Sequence, residues 1–423
     1  MEKEIQRKNV IWNIIGATAN AFNSLFFTII VTRINGTFDA GIFSYSFATA
    51  CMLYIVGVYA GRTFQVTDIS KENSDTDYIY NRIITCIIMI IVSILFVIIK
   101  GYEIYKSIIF VLLCFFKCSE AFAEVLYGVL QKDGKLYKVG ISMFVKAVIA
   151  LVLFLIIDAI TKNLMVACTS ILIVNILIMI IYDYKNIKKV NLIKTKYSKN
   201  VNIRLFKAGF YTFILTFLGI YLINAPRYAI DDILTSDMQT IFGIIIMPAT
   251  FMGLLGQYII QPCLTKISEN IKNENYNKLK NIVKILTLII LIFGIIVTIS
   301  AWLLEVPVLE LVYGIHLSSY FESMMIIIIG SILYSLSTIL SAILIAMRKT
   351  LYQVVVYIIT AVIVTISAYN LVNIIQIKGA AITYFITMLI VSLAFAIYTI
   401  INMKRYKRNW GILNENINNN SNI

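Results

Sequence analysis

Residues 210–232 read FYTFILTFLGIYLINAPRYAIDD. The apolar run that reaches Pro226 carries no charge, and Arg227 follows the proline at once. With the residues before it, the run covers 205–228, close to the roughly 20 residues a helix needs to cross the hydrocarbon core of a bilayer. A helix on the surface of a soluble domain would break such a run with a polar face every three or four residues. This one does not, and the rest of the chain has the same character. Of its 423 residues, 60% are hydrophobic and 14% charged, against about 45–50% and about 25% in an average soluble domain. A soluble core of this length cannot hide so much apolar surface, so lipid must take much of it.

Runs of similar length number twelve: 10–32, 40–60, 82–99, 107–130, 139–157, 162–182, 205–228, 239–262, 282–303, 320–346, 351–372 and 379–402. Continuous apolar runs exclude a β-barrel, whose strands alternate. The fold class is an all-α polytopic membrane protein of about twelve transmembrane helices. Basic residues orient it. With the N-terminus inside, 28 of the 36 Lys and Arg fall in inside segments, six in outside segments, and Lys117 and Lys146 within spans. That asymmetry is the positive-inside signature, and it predicts cytoplasmic N- and C-termini in a bacterial cytoplasmic membrane. The opening MEKEIQRKN is followed by apolar sequence to Val31, too long for the core of a cleaved signal peptide.

The formal charge of +14 belongs to these loops, so no nucleic-acid partner is expected. The domain reading is an N-terminal lobe (1–182, helices one to six), a basic cytoplasmic linker (183–204) that lies on anionic lipid, a C-terminal lobe (205–402, helices seven to twelve) and a cytoplasmic tail (403–423). The tail ends NENINNNSNI, a composition that predicts disorder. The six cysteines lie in or beside apolar spans and read as buried free thiols. His316 stands alone in a loop. No metal-site spacing, nucleophile elbow or phosphate loop occurs, so neither metal nor cofactor is expected, and no catalytic residue is assigned.

The halves show traces of a repeat. Helix one ends at Thr32-Arg33 and helix seven at Pro226-Arg227; Phe43 precedes Arg62 by the same nineteen residues that separate Phe242 from Gln261. A duplicated six-helix unit inserts twice in one orientation, which predicts two pseudo-symmetric lobes around a central cavity.

A charge inside a span is costly and usually faces a bundle interior or a wet cavity. Helix four carries Lys117, Glu120 and Glu124 on one face, and helix five returns with Lys146 at the depth of Glu124. Glu124 and Lys146 are therefore expected to pair. Glu120 and Glu124 then belong to a structural ion network, and Lys117 and Lys146 either complete it or present positive charge to a substrate. Arg33, Arg62 and Arg227 end spans. They either snorkel to the headgroups or form an anion clamp, since a guanidinium holds phosphate oxygens in pairs. Pro226, which removes a backbone donor, is expected to break helix seven and aim Arg227 inward.

The stretch NAPRYAIDDILTSDMQTIFGIIIMPATFMGLLGQYIIQPCLTKISE (224–269), with GRTFQVTDIS (61–70) and YGVLQKDGKLYKVGISMFVK (127–146), resembles Wzx-type polysaccharide flippases. These belong to the multidrug/oligosaccharidyl-lipid/polysaccharide (MOP) exporter superfamily. The likeness covers essentially the whole chain. It implies a flippase that carries an undecaprenyl-diphosphate-linked oligosaccharide across the cytoplasmic membrane by alternating access, for capsule, exopolysaccharide or O-antigen-like polysaccharide synthesis. It also implies a polysaccharide polymerase and glycosyltransferases as partners. Through it, headgroup binding is assigned to Arg227 and Arg62, and further to Arg33, Lys117 and Lys146. The alternative is a cation-coupled multidrug antiporter of the same superfamily, which needs cavity carboxylates unmatched by lysine. A membrane glycosyltransferase or polymerase would be an enzyme, and its large acidic outer loop is missing from this sequence.

Overall fold

The computed structural model describes residues 2–59, 61–68, 73–260, 263–273 and 275–420. Twelve long helices order the described chain: α1 (Glu2–Ile34), α2 (Thr37–Val58), α3 (Asp75–Lys100), α4 (Ile104–Lys132), α5 (Leu136–Thr161), α6 (Leu164–Ile178), α7 (Lys199–Ile233), α8 (Ser236–Ile245 and Met247–Ile260), α9 (Tyr276–Tyr313), α10 (Phe321–Ala346), and two that follow Thr350. Those two, α11 (350–374) and α12 (377–420), meet at Ile375 and Gln376, whose backbone leaves the helical region. Ten segments are long and apolar enough to cross a bilayer, and the segment Thr350–Lys404 among them holds both α11 and α12. The remaining helix, α4, is set apart by the charges at 117, 120 and 124 within its apolar stretch. The chain is a multi-pass helical membrane protein. Helix α12 continues to Asn420, across the Asn-rich stretch whose composition predicts disorder.

The helices are amphipathic in reverse. On α3, Ile83, Ile87, Ile91, Ile94, Leu95 and Ile98 are exposed, whereas Arg82, Thr85, Cys86, Met89 and Ser93 are buried. Spacings of three and four put each set on one face. Isoleucine thus faces lipid and the polar residues face protein, as expected where the solvent is hydrocarbon.

Two compact units form, the first from Met1–Phe217 with Thr235–Thr240, the second from Leu218–Leu234 with Ile241–Ile423. In the first, α1 packs along α5 and α2 along α3 and α4. The α1–α5 crossing is backbone on backbone: a Cβ on Gly16 would lie 2.2 Å from the Gly140 carbonyl oxygen, and one on Gly140 would lie 2.1 Å from that of Trp12. Small residues permit such approach between membrane helices. Helix α3 starts with a capping box, Ser74 and Asp77 each bonding the other's backbone N–H. The basic linker lies against this same start. Asp75 N–H donates to the Ile193 carbonyl at 3.1 Å, and Thr195 N–H donates to Thr76 Oγ1 at 2.8 Å. In the second unit α10 packs against the α11–α12 segment and against α8. There Gly253 meets the Tyr334 ring, and Ser335 donates to the Met252 carbonyl.

Candidate functional site

The charged groups of α4 gather in the first unit. Lys117 Nζ lies 2.8 Å from Glu120 Oε2 and rests over the rings of Phe47 and Phe116. Their i, i+3 spacing places both on one helical face. Glu124, one turn further on, faces Arg62 of the short helix Gly61–Thr67, with Nε 3.7 Å from Oε2. Arg62 Nη1 is buried without a partner.

The expected Glu124–Lys146 pair does not form. Lys146 Nζ bonds Asp183 Oδ2 at 2.6 Å and the Tyr127 hydroxyl at 2.9 Å, and that hydroxyl lies 3.0 Å from Ser142 Oγ. The reason is local: α6 ends in a π-helical segment, Met179–Tyr184. A π turn holds an extra residue, and it is found often at functional sites. It keeps Asp183 turned into the bundle, where it is completely buried, although a sequence reading places it at the loop edge. A nearer acid therefore takes Lys146, and Glu124 is left to Arg62.

Asn20, Tyr54, Glu120, Glu124, Tyr127 and Lys146 line a small pocket within this unit. Its charges are balanced: Lys117 faces Glu120, Arg62 faces Glu124 and Lys146 faces Asp183. An anion entering here competes with carboxylates already in place. A bare cation meets ammonium and guanidinium groups.

Arg33 closes the last turn of α1 and is exposed. Arg227 is 7% exposed, with its guanidinium carbon 5.7 Å from the centre of the Phe242 ring in the second unit. The two arginines match in sequence position but not in burial. The expected break at Pro226 is absent, since α7 runs helical from Lys199 to Ile233 through the proline. The ring costs the Leu222 carbonyl its helical partner. Burial of Leu222, Ala225 and Tyr228 holds the helix together around that loss, and Arg227 reaches the interior from an unbroken helix. Gln261, used in the repeat comparison, lies outside the described residues, as do Ile69 and Ser70.

Other buried charges escape a sequence reading, Arg82 and Glu305 among them. Arg82, the first residue of the 82–99 run, is 6% exposed on the inner face of α3. Glu305, on α9, is buried with neither carboxylate oxygen bonded. Its i+8 neighbour Tyr313 is also buried with an unpaired hydroxyl. Among the described residues none of the six cysteines forms a disulfide.

No family model matches the chain. It is 26% identical over 395 residues to the capsular polysaccharide biosynthesis protein CapF of Staphylococcus aureus, covering 92% of this chain and 98% of that protein. Among solved structures it is similar to the inward-facing form of a multidrug resistance MATE family transporter of the MOP superfamily, with a TM-score of 0.65, 13% identity and 96% of each chain covered. It is likewise similar to a MOP superfamily transporter from Pyrococcus furiosus described by the reversed polarity of its binding pocket, with a TM-score of 0.59, 13% identity and 96% of each chain covered. The fold is that of the MOP-superfamily transporters.

Proposed function

We propose that this chain, a multi-pass membrane protein with the MOP-superfamily fold, is a flippase for a polyprenyl-diphosphate-linked oligosaccharide. It works in a bacterial cytoplasmic membrane with both termini cytoplasmic, and it serves capsule or related polysaccharide assembly. One observation carries this reading: a likeness to a capsular polysaccharide biosynthesis protein that spans nearly the full length of both chains. Glycosyltransferases build the unit it carries and a polymerase consumes it.

In this reading Arg227 is the main diphosphate ligand. Its planar fork matches phosphate oxygens, and in a low-dielectric setting each such contact is worth far more than in water. Arg62 contributes through the Nη1 that Glu124 leaves unbonded, and exposed Arg33 receives the headgroup at the end of α1. Lys117 and Lys146 serve by exchanging their carboxylate partners for the diphosphate. Glu120, Glu124 and Asp183 each face a cation, an arrangement that suits an anionic cargo better than a cationic drug.

The test is transport by the purified chain in liposomes, using a fluorescent polyprenyl-diphosphate oligosaccharide scored by quencher access, with Arg227→Gln alongside. Wild-type translocation, lost in the variant while its thermal midpoint stays put, supports the reading. If no such lipid moves, and a small cationic amphiphile is instead expelled against a cation gradient, the flippase reading fails and the antiporter takes its place.

A further inference from the structure

We infer that Asp158 is a proton-binding site of the first unit: its carboxyl holds a proton that it donates to the side chain of Asn35, and this bond ties the turn between α1 and α2 to the end of α5. Two orphaned oxygens point to it. Asp158 is completely buried in the last turn of α5. Its Oδ1 accepts from Asn35 Nδ2 at 3.1 Å. Its Oδ2 is buried with no partner, and so is Asn35 Oδ1. These atoms are the remaining halves of the same carboxyl and the same amide. An ionised carboxylate oxygen and an amide oxygen are both acceptors only, so neither satisfies the other. One proton on Oδ2 changes that. A carboxylic acid and a primary amide close a ring of two hydrogen bonds, with the amide N–H donating on one side and the acid O–H on the other.

The surroundings favour the neutral acid. Asn35 directly follows α1, and Asp158 lies in the last turn of α5. Each helix C-terminus carries roughly half a negative charge, so the carboxyl sits where two negative ends meet. Asp39, in the first turn of α2, interacts electrostatically with Asp158 and adds a second acid. Tyr105 on α4 and Cys168 on α6 are the other titratable groups that interact with it, and neither brings positive charge. Arg33 on α1 and Lys162 at the end of α5 are exposed, and no Lys or Arg among the described residues pairs with Asp158. A buried carboxylate without a cation is strongly unfavourable.

A metal ion is a poorer occupant than a proton. Two unbonded oxygens fall well short of the roughly six that a hard divalent cation gathers, and no metal-holding group of three or more His, Cys, Asp or Glu occurs among the described residues. Loss of the proton breaks one bond of the ring and sets two acceptors against each other. The protonation state of Asp158 therefore sets how firmly the α1–α2 turn is held to α5.

The experiment follows thermal unfolding of the full chain in maltoside from about pH 6 to about pH 9, wild type against Asp158→Asn. An aspartate in the unfolded chain is ionised throughout that range. A folded state that keeps the proton binds one more than the unfolded state, so its stability falls as pH rises. Relative to the variant, the wild-type midpoint should drop by about 1–2 °C per pH unit until the folded carboxyl itself ionises. Asparagine rebuilds the ring as an amide pair, so the variant should fold and melt no lower than wild type at the alkaline end; a variant that does not fold counts against the proton. Infrared spectra of the wild type should show the carbonyl stretch of an un-ionised carboxylic acid that Asp158→Asn lacks. A midpoint difference that stays constant with pH means that Asp158 is ionised in the folded state, and overturns the site. A wild-type midpoint raised by sodium chloride but not by choline chloride, with no such rise in the variant, assigns a metal cation and overturns the proton. Neither readout involves transport, so the site stands or falls independently of the proposed cargo.

Discussion

Asp183→Asn should be among the most damaging isosteric changes in the first unit. Lys146 is 6% exposed and Asp183 is completely buried, with Nζ and Oδ2 2.6 Å apart. The substitution keeps the shape and removes the charge, so the ammonium retains only neutral acceptors, the Tyr127 hydroxyl and an amide oxygen. Breaking a buried pair by neutralising one member costs about 3–5 kcal/mol. The surviving hydrogen bond offsets roughly 1 kcal/mol of that, which leaves about 2–4 kcal/mol. Removing both charges is a different perturbation, because a well-packed apolar replacement of a buried pair is often neutral or stabilising. Lys146→Met with Asp183→Leu should therefore recover most of the loss. The assay is reversible denaturant unfolding in maltoside micelles for wild type, both single variants and the double variant, from which the coupling energy follows. An Asp183→Asn variant within about 0.5 kcal/mol of wild type, or a double variant no more stable than the sum of the singles, would refute the claim that this contact is a buried, mutually dependent ion pair.

Other expectations follow from single contacts. Gly140→Ala places a Cβ 2.1 Å from the Trp12 carbonyl oxygen, and forcing α1 off α5 should cost about 1–3 kcal/mol or more. Size-exclusion yield should fall sharply, whereas Gly219→Ala, whose Cβ meets Tyr357 at 3.4 Å, should leave it unchanged. Glu124→Gln breaks a longer contact, 3.7 Å, between side chains 25% and 18% exposed; partial solvation should hold the loss to about 1 kcal/mol, and a loss as large as that of Asp183→Asn would mean a tighter network than the distances show. Lys194, exposed on the linker, tests orientation: with Cys51, Cys118 and Cys263 replaced by alanine, Lys194→Cys should react with a membrane-impermeant maleimide only after cells are opened. Labelling of intact cells would reverse the topology.

The spans were legible because their signal is long and redundant. Each needs about twenty apolar residues, and a few stray polar ones do not erase the run. Even α4, the most highly charged span, reads through its interruptions, since Lys117, Glu120 and Glu124 share one face. The pairing inside the site was much less legible. Depth along two antiparallel helices follows from counting, but azimuth does not, and the π turn at Met179–Tyr184 changes azimuth without leaving a mark in composition. Glu124 and Asp183 are both plausible partners for Lys146 by depth; only the turn selects Asp183. Arg82 was misjudged for a related reason. It stands at the start of an apolar run, where a basic residue normally faces headgroups, and the short helix Gly61–Thr67 that helps enclose its pocket is too brief to read as an element. Pro226 failed in the opposite direction. Local chemistry points to a break, and packing around Ala225 and Tyr228 carries the helix through.

The placement of charge has a consequence for how such a protein could hold a diphosphate and also release it. In the first unit Lys117, Arg62 and Lys146 already face carboxylates. A headgroup bound there gains little net charge interaction, because each new contact replaces an old one. That weakens binding, but it also lowers the barrier to leaving, since the carboxylate returns as the phosphate departs. The second unit is built differently. Among its described residues, Arg227 and Glu305 are the charged side chains less than a tenth exposed, and the face of Phe242 lies 5.7 Å from the Arg227 guanidinium. An aromatic face attracts a cation without neutralising it, and on the proposed reading it helps to hold the Arg227 guanidinium toward an anion. A ring-backed arginine in one unit and a carboxylate-paired network in the other differ in kind, whatever symmetry the sequence repeat retains. This difference predicts that substitutions at Arg227 change affinity for the headgroup, whereas substitutions in the α4 network change folding stability first and affinity second.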